Sequence, residues 1–115
     1  MAQRLISSFF VVLLFCKCKY DKVENLTISC DTTNVTFYGS IKPILETKCY
    51  SCHQGSNPSA GINLQNEAIV SSNAELILKT VRYDSDVIGM PIGEKLPECQ
   101  IKKIEIWFKK GGTIN

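Results

Sequence analysis

Cys49 and Cys52 enclose two residues and are followed at once by the chain's single histidine, in the run Cys49-Tyr50-Ser51-Cys52-His53. Two thiols at that separation can reach the two vinyl groups along one haem edge, and the adjacent imidazole is then carried under the iron. A cofactor tethered by two such bonds cannot dissociate. Because His53 is the only histidine, ligation by two imidazoles of one chain is excluded. The remaining soft donor is Met90, the one methionine besides the initiator, in the loop Val87-Ile88-Gly89-Met90-Pro91-Ile92-Gly93. Pro91 biases the residue before it away from helical backbone, while Gly89 and Gly93 let the main chain approach a flat ring closely. A thioether at the sixth position stabilises reduced iron relative to a second imidazole and raises the reduction potential. The residues therefore predict His53 as proximal and Met90 as distal iron ligand. If Met90 were an ordinary loop methionine, the iron would be five-coordinate or bound by lysine or water, a site suited to sensing or catalysis.

The same cysteines admit two other chemistries. A redox dithiol belongs near a strand and helix of an α/β pattern, which the sequence does not show. Zinc could recruit Cys30, Cys49, Cys52 and Cys99 as four thiolates, although structural zinc sites usually present two close pairs and this chain has one. That arrangement would make the protein a haem-free extracellular binding module.

The elements needed to hold these groups are helical. Phe37, Ile41, Ile44 and Leu45 recur at helical offsets and predict a helix ending near Lys48, immediately before Cys49. Pro43 suits a first turn with Ser40 as N-cap and is costly if the helix begins at Thr36. The strongest pattern is Glu98 to Lys110, with Pro97 and Glu98 at its start, Lys109 and Lys110 in its last turn, and Gly111-Gly112 to stop it. Ile101, Ile104, Trp107 and Phe108 give this helix a wide apolar face. Trp107 reads as a core residue, with an indole bond to a haem propionate as the alternative. Arg82 reads as a surface residue or a propionate partner. Between the two helices lie a turn-rich stretch from Gln54 to Gly61, short helices at Glu67 to Ser71 and at Ala74 to Val81 capped by Asn73, and an extended loop from Tyr83 to Leu96. Pro58 is placed to shape a turn that brings a backbone carbonyl to the far nitrogen of His53. No segment alternates like a strand, so the expected class is all-α, and residues 35–115 form the one folded domain.

The N-terminus reads as an export signal. After Arg4 comes an apolar run from Leu5 to Phe15, long enough for a signal core and too short to span a bilayer. Cys16 and Cys18 follow, at the place where a bacterial lipoprotein carries its acylated cysteine, with Phe15 and Lys17 before them instead of the usual small residue. Residues 1–18 are read as the signal and processing region and 19–34 as a polar tether. Lipid anchorage to an envelope membrane is the expectation, with plain secretion or an uncleaved anchor as alternatives. The remaining cysteines, Cys30 and Cys99, make a credible disulfide in an oxidising compartment, one that would stabilise the fold by up to ~4 kcal/mol by closing a long loop. The formal charge is +2, and removal of Arg4 with the signal lowers it further, so no basic stripe suited to nucleic acid survives. Lys102, Lys103, Lys109 and Lys110 form either a solvated face or a rim for an acidic redox partner.

The order of an amphipathic helix, C-x-x-C-H, a Met-Pro loop and a final helix containing Trp107 resembles the class I c-type cytochromes. More narrowly, the segments CDTTNVTFYGSIKPILETKCYSCH and MPIGEKLPECQIKKIEIWFKKGG look like the small haem domains of bacterial lipoproteins. The resemblance covers roughly Cys30 to Gly112. It implies three to five helices around one haem c, with first and last helices crossing. It also implies electron transfer between redox protein partners with no enzymatic turnover, and a cofactor held at Cys49, Cys52, His53 and Met90.

Overall fold

Pro43 poses the first problem of local structure, because the apolar face that includes Phe37 starts before the residue that cannot lie deep in a helix. In the computed structural model, which describes residues 29–115, a π-turn at Phe37–Ile41 precedes helix α1, Lys42–Lys48. Thr36 caps the turn, its Oγ1 accepting the Gly39 amide at 3.1 Å, and the Phe37 carbonyl accepts the Lys42 amide. Pro43 thus falls in the first turn of α1, where its missing N–H is not needed. The expected Ser40 cap is replaced by Thr36, and Phe37, Ile41, Ile44 and Leu45 are all buried.

Three further α-helices complete an all-α fold among the described residues: α2 (Glu67–Ser72), α3 (Ala74–Arg82) and α4 (Glu98–Lys109). No strand occurs among the described residues. The expected processing region 1–18, with Cys16 and Cys18, and residues 19–28 of the expected tether lie outside them. No helix among the described residues is long and apolar enough to cross a membrane.

Asn73 is the N-cap of α3, as expected, but makes no side-chain cap bond there; the side-chain cap in this region belongs to α2. Asn66, in extended backbone, accepts the amides of Ala68 and Ile69 on its side chain at 3.0 and 3.2 Å and starts α2. Asn73 already closes α2 as its C-cap, so its side-chain nitrogen turns back to donate to the Ile69 carbonyl at 2.8 Å. Only its own carbonyl serves α3, accepting the Ile77 amide at 2.9 Å.

The core is gathered on α4. Ile101, Ile104 and Trp107 are buried, and Phe37 meets Trp107 with ring centroids 6.0 Å apart. Trp107 donates its indole N–H to the Thr113 carbonyl at 2.8 Å, which places it in the core and leaves no indole proton for a propionate. This bond folds the C-terminal tail back over the helix. Gly112 permits the fold-back, since its φ is +61° and a Cβ there would lie 2.6 Å from the Ala74 Cβ. Helix α3 buries Ala74, Ile77, Leu78 and Val81 against this assembly. Arg82 pairs with Glu105 of α4 at 3.3 Å. Glu105 also meets Lys109 at 2.6 Å and Lys102 at 3.7 Å. The hydrogen bond from Lys109, with the nearby Lys102 and Arg82 charges, holds the Glu105 carboxyl down to about 2.

Cys30 and Cys99, 69 positions apart in the sequence, are joined by a disulfide, with their Cα atoms 5.5 Å apart. It ties the chain ahead of the π-turn to the first turn of α4. Replacing both residues, Cys30→Ala with Cys99→Ala, should lower stability in chemical denaturation by about 4 kcal/mol, the chain-entropy value for a loop of this length. A loss below about 1 kcal/mol would mean that the crosslink restrains the unfolded chain little.

Candidate functional site

The end of α1 runs without a break into Cys49, Cys52 and His53. The Leu45 carbonyl in the last turn of α1 accepts the amides of both Cys49 and Tyr50 at 2.9 and 3.0 Å. The Cys49 carbonyl in turn accepts the amides of Cys52 and His53 at 3.2 and 3.0 Å. One turn of backbone therefore gathers Cys49, Cys52 and His53, and both cysteines are free thiols. Cys49 is half-buried against the core and Cys52 is exposed. Burial pushes the Cys49 thiol up to about 11, because an apolar surround disfavours the thiolate.

His53 is held by the loop that follows it. Its Nδ1 lies 3.1 Å from the Ile62 carbonyl oxygen. A carbonyl only accepts, so Nδ1 carries a ring proton, and in the neutral imidazole the lone pair then lies on Nε2. The loop is laced closed around this contact. The Cys52 carbonyl accepts the Ser59 amide and the His53 carbonyl accepts the Leu64 amide, each at 2.8 Å. The Asn63 side chain donates to the Gly55 carbonyl at 3.0 Å, and the Gly55 amide donates to the Gln65 side chain at 3.1 Å. The expected turn at Pro58 is present, with its carbonyl accepting the Gly61 amide at 3.0 Å, and the carbonyl it helps deliver to His53 is that of Ile62. Ser59–Gly61 forms a short 3-10 turn within this loop.

Met90 lies on a second segment, fixed to the end of α3. Its amide donates to the Thr80 carbonyl at 2.9 Å. The Tyr83 hydroxyl donates to the Pro91 carbonyl, and the Met90-Pro91 peptide is cis. No hydrogen bond among the described residues joins this loop to the His53 loop. On either side of Met90 stand Ile88 and Ile92, 72% and 79% exposed, the two most exposed large apolar side chains among the described residues.

Several of the residues that organise the site carried no sequence signal of doing so. Thr80 reads only as part of a short helix, and Tyr83 only as the first residue of an extended loop. The lacing by Asn63 and Gln65 joins positions with no regular spacing, and only Gly55, Pro58 and Gly61 marked the region as turns. With Cys30 and Cys99 bonded to each other, the four-thiolate zinc set is not available. No group of three or more histidine, cysteine or acidic side chains suited to a metal occurs among the described residues. Of the lysines read as a rim, Lys102 and Lys109 pair with Glu105 and Lys110 donates to the Val35 carbonyl at 3.0 Å. No protein-family model, curated protein or solved structure matches the chain.

In protein with Cys49 and Cys52 as free thiols, iodoacetamide at about pH 8 should label exposed Cys52 first. Cys49 should react on the order of a hundredfold more slowly than in the denatured chain, since its thiol is raised from 9.0 to about 11. Equal rates at the two cysteines would contradict the half-buried position of Cys49.

Proposed function

We propose that this chain is an electron carrier with a single haem c, attached through Cys49 and Cys52 and ligated by His53 and Met90, in a cytochrome c-like fold. The observation that carries the reading is the His53 ring, its Nδ1 3.1 Å from the Ile62 carbonyl oxygen, which in the neutral ring leaves the Nε2 lone pair free, one residue from a free thiol. A metal-bound imidazole needs this arrangement, because the carbonyl fixes the tautomer and ring orientation and raises the basicity of the ligating nitrogen.

The residues also fit a flat apolar group in other respects. Ile88 and Ile92 hold apolar surface in water on both sides of Met90, which a haem face would cover at a gain of about 25 cal/mol per Å². Cys49 packs on the core while Cys52 faces out, so the two thiols hold one edge of such a group between interior and solvent. When bound, haem c supplies a one-electron iron couple. The chain's own contribution is to fix two axial donors, keep water from the buried side and leave an edge within reach of redox protein partners; no catalytic residue is assigned. Export through residues 1–18, with Cys16 or Cys18 carrying a lipid, would anchor the carrier at an envelope membrane. The Cys30–Cys99 disulfide suits an oxidising compartment of that kind.

Expression with haem-attachment machinery, followed by acid-acetone extraction and a reduced spectrum in alkaline pyridine, should show haem c retained on the chain. Haem lost to the solvent phase would overturn the attachment through Cys49 and Cys52. The Met90→Ala variant should keep the haem, bind exogenous imidazole and fall in potential by on the order of 100 mV, a modest part of the ~0.8 V range that axial ligands span. An unchanged potential would remove Met90 from the iron.

A further inference from the structure

We infer that Tyr83 is the positioning residue for Met90, holding the ligand loop against the end of α3 through its ring on Gly89 and its hydroxyl on Pro91. This deepens the reading of Met90 as an iron ligand and rests on it.

The backbone of Tyr83 is the first observation. It closes α3 in the left-handed region, at φ 64° and ψ 43°, where glycine or asparagine is the usual occupant and a bulky side chain is strained. Strain of this kind persists where the surrounding structure requires it. Here the left-handed turn sends the tyrosine over the loop that follows. At Gly89 an added Cβ would lie 2.6 Å from Tyr83 Cε1, so the ring rests on bare backbone and only glycine leaves room for it. The hydroxyl reaches past Met90 and donates to the Pro91 carbonyl. Between these two contacts, the Met90 amide donates to the Thr80 carbonyl at 2.9 Å, an acceptor it shares with the Tyr83 amide at 3.1 Å.

Gly89, Met90 and Pro91 are thus fixed in succession by a ring, a helix-end carbonyl and a hydroxyl, two of the three from one side chain. Tyr83 is itself 39% exposed and outside the buried core, so shortening it opens no cavity. Its role is local: Met90 cannot swing away as a unit with its loop unless the hydroxyl bond breaks and the ring leaves Gly89. Any exogenous ligand that displaces Met90 must work against those contacts, whereas one that enters an already open position need not.

The test uses the haem-loaded full chain and two variants. Tyr83→Phe keeps the ring and removes the hydroxyl, and Tyr83→Asn keeps a residue that tolerates left-handed backbone while removing both contacts. Ferric protein is titrated with imidazole at fixed pH, and the methionine-to-iron charge-transfer band is followed as the ligand is displaced. Loss of one net hydrogen bond should raise imidazole affinity about fivefold in Tyr83→Phe, and the rise should be greater in Tyr83→Asn, with haem retention unchanged in both. Amide exchange at Met90 should quicken in the same order. If the wild-type band is present and Tyr83→Phe binds imidazole as weakly as wild type, Tyr83 does not position the ligand, even where its thermal stability falls. Absence of the band from wild-type protein would overturn Met90 ligation itself, and the role of Tyr83 with it.

Discussion

Burial of one indole is the constraint on which the rest of the chain depends. Trp107 is 2% exposed, and an indole N–H shut away without an acceptor would cost several kcal/mol. The Thr113 carbonyl provides the acceptor, but only if the chain reverses direction directly after α4. Gly111 and Gly112, both at positive φ, make that reversal possible. The reversal brings Gly112 against Ala74, and the Gly112 carbonyl accepts a hydrogen bond from Ser71 at 2.7 Å. On the other side of the indole stands Phe37, at the start of the π-turn. One buried side chain therefore fixes the entry to α1, the junction of α2 with α3, and the C-terminal tail. Among the described residues no polar or charged residue is buried in the core around it, so its specificity comes from shape and from this single satisfied donor.

The two halves of the candidate site inherit their positions from that core by the same device, a helix end whose free carbonyls are used to hold the next segment. The Leu45 carbonyl at the end of α1 takes two amides and leads into Cys49, Cys52 and His53. The Thr80 carbonyl near the end of α3 takes two amides, one of them that of Met90. Helix ends leave such acceptors unsatisfied by construction, and ordering a functional loop with them costs no additional polar group in the core. The first half is then completed by a loop of mostly exposed polar residues laced through Asn63 and Gln65. The second is completed by an aromatic ring.

What could be read in the sequence follows from which of these contacts leave a periodic trace. The face of α4 and the burial of Phe37, Ile41, Ile44 and Leu45 repeat at helical spacing and were legible. So was the gathering of Cys49, Cys52 and His53 on one turn, because it depends only on separations within that turn. The π-turn was not, since Pro43 shows that a helix cannot continue regularly through it but does not say how the backbone yields. Asn73 offered a better cap signal than its geometry allows, because a residue that must close one helix has its side chain committed before the next begins. The bond from His53 to Ile62 was legible only in kind. Pro58 indicated a returning carbonyl, but which carbonyl returns depends on the full loop path. Tyr83 gave no signal at all, because it reads as the opening residue of a loop and its left-handed backbone is invisible in the residue type.

The exposed pair Ile88 and Ile92 remains the least self-sufficient feature of the fold, and it bears on how stability is distributed. A chain of this size buries a limited core, and its disulfide acts on the unfolded ensemble more than on the folded surface. Neither gives Ile88 and Ile92 any reason to be apolar. Their cost as lone surface residues is small, but both flank a methionine whose amide, preceding glycine and following proline are all held in place. Order of that kind in a loop opposes chain entropy at every residue, so it is expected where the loop has a partner to meet. On the proposed reading the order and the apolar exposure have one cause. The loop is built to present a thioether and two aliphatic side chains to a flat apolar surface, and Tyr83 supplies in advance the fixation that would otherwise have to come from that surface.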